Sequence, residues 1–276
     1  MMNVKRSLSK TKKTTSYLNS AMIKFFRRIR QNLIMENKTG KYLKYAIGEI
    51  VLVMIGILLA LQVNNWNNNR IEASKEQLLL KNLQTDFKTN LSELKYTYDT
   101  STEAYVACVK LLEIIKDDSS INPSEIESLI DNIINKIRSL DLISGSIDEI
   151  LNTGSLHIIQ DPELRKQLSN WTFYVNDTGD DIQIYTDYLF GILIPSLTEK
   201  AILRNTNKPI HFLDDLNLPI ISKSGFKIDY NKTIRTLEFE NQIYNNALNY
   251  MYALNAYKIM ETYLNDTLEL INKNLK

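Results

Sequence analysis

Residues 45–63 read YAIGEIVLVMIGILLALQV, and from Ile50 to Leu61 no side chain is polar. Only Glu49 and Gln62 interrupt the stretch. A helix of about 20 mainly apolar residues crosses the hydrocarbon core of a bilayer, so this segment is expected to be a transmembrane helix. Tyr42 and Tyr45 flank it on one side and Trp66 on the other, placed as an aromatic belt would be. A cleaved signal peptide has a similar apolar core, but the basic stretch ahead is longer than an ordinary leader's, no A-x-A-like site follows, and no cysteine is available for lipoprotein processing. A retained signal anchor fits the residues better.

Charge is divided sharply by this segment. Before Tyr45, twelve Lys and Arg stand against Glu36 alone, giving +11; the remaining 21 basic and 31 acidic residues give −10. Lys and Arg near a span stay cytoplasmic, so the N-terminus is expected inside and residues 64–276 outside. Within the span, Glu49 lies about one turn from Tyr45. It either reaches the headgroups and pairs with Lys44 or Lys41, or faces a protein interior as a functional intramembrane acid; its place near the end favours the first. Glu49, Gly56 and Val63 share one face at sevenfold spacing, and Gly56-x-x-x-Ala60 is a small-x-x-x-small pair that permits a close homo-oligomeric contact.

Ahead of the span, residues 22–44 are read as a basic amphipathic juxtamembrane helix. Ile23, Phe26 and Leu33 fall on one face, and Lys24, Arg27 and Arg28 on the other, with Arg30 at the boundary. Such a helix lies on an anionic leaflet with its cations on lipid phosphates; nothing beside it reads as a nucleic-acid module. Residues 1–21, rich in Lys, Ser and Thr, are expected to be a disordered basic tail, and Met22 is an equally sensible start. The inside portion is expected to be too short for a kinase, cyclase or DNA-binding domain.

Beyond the span, 8 Gly and 5 Pro in 276 residues favour long helices. Between Gly56 and Pro123 there is neither residue, and Leu80, Phe87, Leu94, Cys108 and Ile115 recur at multiples of seven. One long amphipathic helix is expected there, unless the Asn run at 64–69 breaks it. Asn122-Pro123-Ser-Glu125 opens a second helix with a capping box, extending to Ile137. Ser146-Ile-Asp-Glu149 reads as another box before a short helix ended by Gly154. Asp161-Pro162-Glu163 starts a third long helix, kinked or ended near Pro195. Residues 205–229 read as an irregular crossover with an extended pair at 219–228, and a last helix runs from about Ile234. The expected fold class is all-α: one N-terminal transmembrane helix, then an antiparallel bundle of three to four long helices with an irregular crossover.

The run MIKFFRRIRQNLIMENKTGKYLKYAIGEIVLVMIGILLALQVNNWNNNR, residues 22–70, resembles the N-terminus of an uncharacterised family of small single-pass bacterial membrane proteins common in Bacteroidetes. NTGSLHIIQDPELRKQLSNW, residues 152–171, is similar to that family's second recurring segment. The resemblance implies an inner-membrane location with a periplasmic domain and assigns no activity.

Chemistry-bearing patterns are sparse. The two histidines, His157 and His211, belong to no ligand spacing, and the single cysteine, Cys108, permits neither a disulfide nor a thiolate metal site. There is no dinucleotide, Walker or nucleophile-elbow motif. The loop from Thr153 to Pro162 frames either an anion site at the following helix N-terminus or an ordinary cap. The tyrosines of two facing helices, Tyr174, Tyr185 and Tyr188 with Tyr244, Tyr250, Tyr252, Tyr257 and Tyr263, form core or line a small-molecule pocket, core being the weightier reading. No cofactor and no enzyme activity are expected. The functional expectation is a membrane-anchored interaction or scaffold protein whose partners are the lipid bilayer and an envelope protein or itself, without nucleic acid. The alternative is a ligand-sensing bundle relaying to a separate cytoplasmic partner.

Overall fold

The computed structural model describes residues 39–117, 120–136, 139–206, 219 and 221–276. Among these all regular structure is helical: α1 Thr39–Lys116, α2 Pro123–Asn135, α3 Gly145–Asn152, α4 Pro162–Ser169, α5 Trp171–Tyr188, α6 Ile194–Lys200, α7 Tyr230–Thr233 and α8 Leu237–Asn274. The chain divides into two compact units, up to Ile71 and from Glu72. The boundary falls inside α1, whose helix continues through the Asn run. The expected tail and most of the juxtamembrane helix, with Lys24, Arg27, Arg28 and Arg30, lie outside the described residues.

In the second unit, α1 buries a stripe spaced alternately three and four residues apart: Leu80, Leu83, Phe87, Asn90, Leu94, Thr97, Ser101, Ala104, Cys108 and Leu111. α8 does the same with Phe239, Ile243, Asn246, Tyr250, Ala253, Tyr257, Met260, Leu264, Thr267 and Ile271. A mean period of 3.5 keeps one seam facing a partner helix. The two run antiparallel: Phe87 meets Tyr263 at 6.4 Å between ring centroids, Lys258 Nζ lies 4.6 Å from the Tyr98 ring centroid, and Asn246 Nδ2 donates to Cys108 Sγ at 3.4 Å. α5 also runs antiparallel to α8, with Tyr174 stacked on Tyr263 at 4.2 Å and the Tyr188 hydroxyl donating to Gln242 O at 3.0 Å.

Local chemistry accounts for most helix ends. Asn122 caps α2, its side chain accepting from Ser124 N at 3.1 Å, with Pro123 opening the helix. α2 ends at Asn135, and Ile137 lies outside the described residues. The Arg235 guanidinium donates to Asp117 O, beside the C-terminal end of α1, where carbonyls lack helical partners. Thr236 caps α8, its hydroxyl accepting from Phe239 N at 3.2 Å. Gly154 takes φ 68°, the left-handed conformation that terminates a helix without a Cβ penalty.

Three sequence expectations are corrected. The short helix starts at Gly145, so Ser146 is an internal residue and not its cap; Ser144 sits at the N-cap and its hydroxyl bonds Asp148 instead. The third long helix is divided at Asn170. There the Ser169 hydroxyl takes Lys166 O at 2.7 Å and the Asn170 N–H tightens onto Gln167 O, so the local bonds compete with helix continuation. Farther on, a π-helical segment at Leu189–Leu193 precedes Pro195, whose ring would otherwise press on the carbonyl of Gly191. Finally, the described residues of 219–228 contain no strand.

Candidate functional site

Two features of the described residues bear on function. The first is the apolar part of α1 in the first unit. Its apolar side chains from Ile50 to Leu61 are all exposed, Leu52 at 62% and Leu59 at 61%. An 18-residue window of the helix has a mean hydropathy of 2.4 with none of it buried. This is the one helix among the described residues long and apolar enough to cross a membrane. Covering one Leu or Ile side chain is worth about 1.5–3 kcal/mol, so a naked run of this length in water is heavily unfavourable.

Within this run Glu49 is half-buried and takes part in a polar or electrostatic contact. Gly56 has nothing within 4 Å of where a Cβ would stand, so that face is open at the small-residue pair formed with Ala60. Glu49, Gly56 and Ala60 thus sit on one helix, and among the described residues nothing stands against Gly56.

The second feature is a polar clasp around the Thr153–Pro162 loop in the second unit. Asp161 accepts from Glu163 N at 2.8 Å and Leu164 N at 3.1 Å, capping α4, and its other oxygen takes the Asn274 amide at 3.0 Å. The Asn274 bond, then the Leu164 amide, hold its carboxyl below the usual carboxylate range. The helix N-terminus is therefore filled by the chain's own carboxylate, the cap alternative of the sequence reading. Glu76, 8% exposed, accepts Gln160 N at 2.6 Å, and Arg165 Nη1 donates to Ile159 O at 2.6 Å. Gln77 binds both the Asn274 carbonyl, at 3.0 Å, and the Lys276 amide, at 2.9 Å. Sequence reasoning missed Glu76, Gln77 and Asn274; a buried Glu on an otherwise polar turn carries no periodic signal.

The tyrosines divide. Tyr185, Tyr250, Tyr257 and Tyr263 are buried, while Tyr244 and Tyr252 are exposed. The Tyr185 hydroxyl donates to that of Tyr250, which donates to Ile133 O at 2.9 Å. Burial pushes the Tyr185 and Tyr250 phenols far above their ordinary value. A hollow of about 240 Å³ between α5 and α8 is lined by Asp181, Ile184, Tyr185, Asn249 and Tyr252. Asp181 is raised by partial burial and by Asp177 and Asp180.

Other groups are structural in their surroundings. Cys108 is buried, as its apolar neighbours imply, and burial pushes its thiol up to about 12, so it stays protonated at neutral pH. His157 Nδ1 lies 2.9 Å from Gly154 O in the loop, and His211 lies outside the described residues. No group of three or more His, Cys, Asp or Glu is arranged to hold a metal among the described residues.

Residues 49–113 match a family of unknown function (DUF6090). The matched stretch contains most of the apolar run and the buried stripe of α1 as far as Leu111, about a quarter of the chain. It fits the resemblance to an uncharacterised family; the second resembling segment, residues 152–171, lies outside it. No curated protein and no solved structure matches the chain.

Proposed function

We propose that the chain is a single-pass membrane protein of the bacterial inner membrane, with residues 45–63 spanning the bilayer and the N-terminus cytoplasmic. Residues 64–276 then form a periplasmic antiparallel bundle built on the long helices, acting as a non-enzymatic interaction or scaffold module. The observation that carries the reading is the apolar window of α1, uncovered along its whole length. Orientation follows from the +11 of residues 1–44 against −10 beyond. In this arrangement Lys24, Arg27, Arg28 and Arg30 contact lipid phosphates, and Glu49, Gly56 and Ala60 line any helix–helix contact within the bilayer. The partner is an envelope protein or a second copy.

Alkaline carbonate extraction tests the anchor, and protease treatment of intact spheroplasts, on a separate sample, tests its direction. The chain is expected in the membrane pellet, with residues 64–276 digested from outside. Release by carbonate refutes the span, and digestion only after lysis refutes the orientation. In-cell crosslinking with purification in mild detergent tests the scaffold role: one envelope protein recovered at stoichiometric yield supports it, and an absence of any crosslink, including self-crosslinks, counts against it. The aromatic-lined hollow beside Tyr185 and Tyr252 favours, as a second reading, a ligand-sensing module relaying to a cytoplasmic partner.

A further inference from the structure

The buried apolar residues of the second unit fall into two clusters. One holds Ala104 to Leu111 of α1, Ile126 to Ile133 of α2, Tyr185 to Ala201, and Tyr230 to Tyr250. The other holds Leu80 to Leu94 of α1, Ile147 to Trp171, and Ala253 to Ile271. α1, α5 and α8 serve both, so each must pass from one cluster to the next; α1 and α5 do so with hydroxyl residues that compete with the backbone, and α8 with small ones.

On α1 the passage runs from Leu94 to Ala104. It contains Thr97, Thr100 and Ser101, all buried; the Thr97 hydroxyl has no partner among the described residues, and that of Thr100 turns back to Thr97 O at 3.0 Å and Tyr96 O at 3.1 Å. On α5 the passage runs from Trp171 to Tyr185. Buried Thr178 turns back to Tyr174 O at 2.8 Å, and Gly179 follows it. Back-bonded Thr and an internal Gly both weaken a helix. α8 crosses with the small, buried Ala253 and Ala256, followed by buried Tyr257.

These passages lie at one level. Antiparallel pairing puts the Tyr185–Tyr250 contact on one side and the Phe87, Trp171 and Tyr263 rings on the other. The remaining chain at that level is not helical: residues 136 and 139–144, between α2 and α3, are in no helix. They are fastened across the gap by Lys136 to Glu103 at 2.6 Å and by Asn90, which exchanges bonds of 2.8 and 2.7 Å with the backbone of Ile143.

We infer that residues 72–276 form two stacked compartments that open independently, hinged at a layer through Thr97, Ser101, Thr178 and the non-helical 139–144 segment. Cooperative opening follows continuous apolar contact, and the layer interrupts the buried apolar stripe of α1 and of α5, while α8 carries small residues across it. A partner seated on one compartment then leaves the other free to move. The inference concerns residues 72–276 alone and holds whichever membrane reading is right.

The test is amide hydrogen exchange by mass spectrometry on the full chain in detergent, across a urea series below the unfolding midpoint. Two exchange isotherms are expected, one shared by peptides covering 126–133 and 239–250, the other by peptides covering 80–94, 164–168 and 257–271. Leu83→Ala is expected to speed exchange about a hundredfold or more in the second set only, and Ile130→Ala in the first only. If either variant fails to fold, the unmutated urea series decides alone. A single isotherm for both sets, or acceleration of both sets alike by one variant, overturns the inference.

Discussion

Removing the Tyr250 hydroxyl separates what two neighbouring phenols contribute. In the buried chain Tyr185 Oη, Tyr250 Oη, Ile133 O, the middle hydroxyl is both acceptor and donor. Ile133 lies in the last turn of α2, where carbonyls lack an intrahelical partner. Tyr250→Phe therefore orphans two buried groups at once, the Tyr185 hydroxyl and the Ile133 carbonyl. At about 1–3 kcal/mol for each unsatisfied buried group, the variant should lose about 2–6 kcal/mol. Tyr185→Phe removes only the outer donor and leaves the Tyr250 bond to Ile133 in place, so about 0.5–1.5 kcal/mol is expected. The double variant should be no less stable than Tyr250→Phe, because the orphaned Tyr185 hydroxyl has gone too. Urea unfolding of the full chain in detergent, followed by far-ultraviolet circular dichroism, gives the four free energies of the cycle. Equal losses for the two single variants, or strict additivity in the double, would refute the chain of dependence.

Asp161→Asn keeps a capping carbonyl for α4 but turns an amide towards the Asn274 donor, and should cost about 1 kcal/mol through that lost bond. Because the folded carboxyl lies below its unfolded value, its contribution is present above the unfolded pKa near 3.8 and is lost as pH falls through the folded one; urea midpoints from pH 7 to 3 should fall less steeply in the variant. Cys108, with its folded pKa near 12, should resist maleimide at pH 7 and 9 and react at once in denaturant; its stabilisation is present below the unfolded thiol pKa and declines as pH rises towards 12. Rapid labelling of the native chain would contradict its burial. Gly154→Ala forces a Cβ into φ 68° and should cost about 1–2 kcal/mol, with Gly154→Asn costing less, as read from thermal midpoints. Ile55→Arg, near the centre of the apolar run, should disfavour insertion by about 2.5–3.5 kcal/mol; an unchanged carbonate-resistant fraction would argue against a bilayer around that residue.

Apolar periodicity made the long helices legible before any coordinates. Leu80, Phe87 and Leu94 mark the α1 stripe at sevenfold spacing, and the uninterrupted run after Ile234 marks α8. The same criterion was blind to Asn90, Thr97 and Ser101, which occupy the stripe in register but do not look like core residues. Their burial depends on distant parts of the chain, such as the Ile143 backbone that Asn90 binds. Caps were read correctly where Pro fixed the first turn, at Asn122 and Asp161. The reading slipped by two residues at Ser144, where both serines precede an acid at a plausible spacing and only packing of Ile147 and Ile150 chooses between them. The apolar run was evident from composition alone, whereas the clasp of Glu76, Gln77 and Asn274 is made of residues nearly 200 positions apart and had no local mark.

The Gln77 side chain holding the Lys276 amide has a mechanical meaning. It closes a loop of chain so that the two attachment points of that loop sit side by side. A force drawing residues 77 and 276 apart would meet the clasp bonds one after another, as a zipper does, and not all together as in shear. Resistance to pulling along that direction is then set by the strongest single fastening met in turn, not by the sum of them.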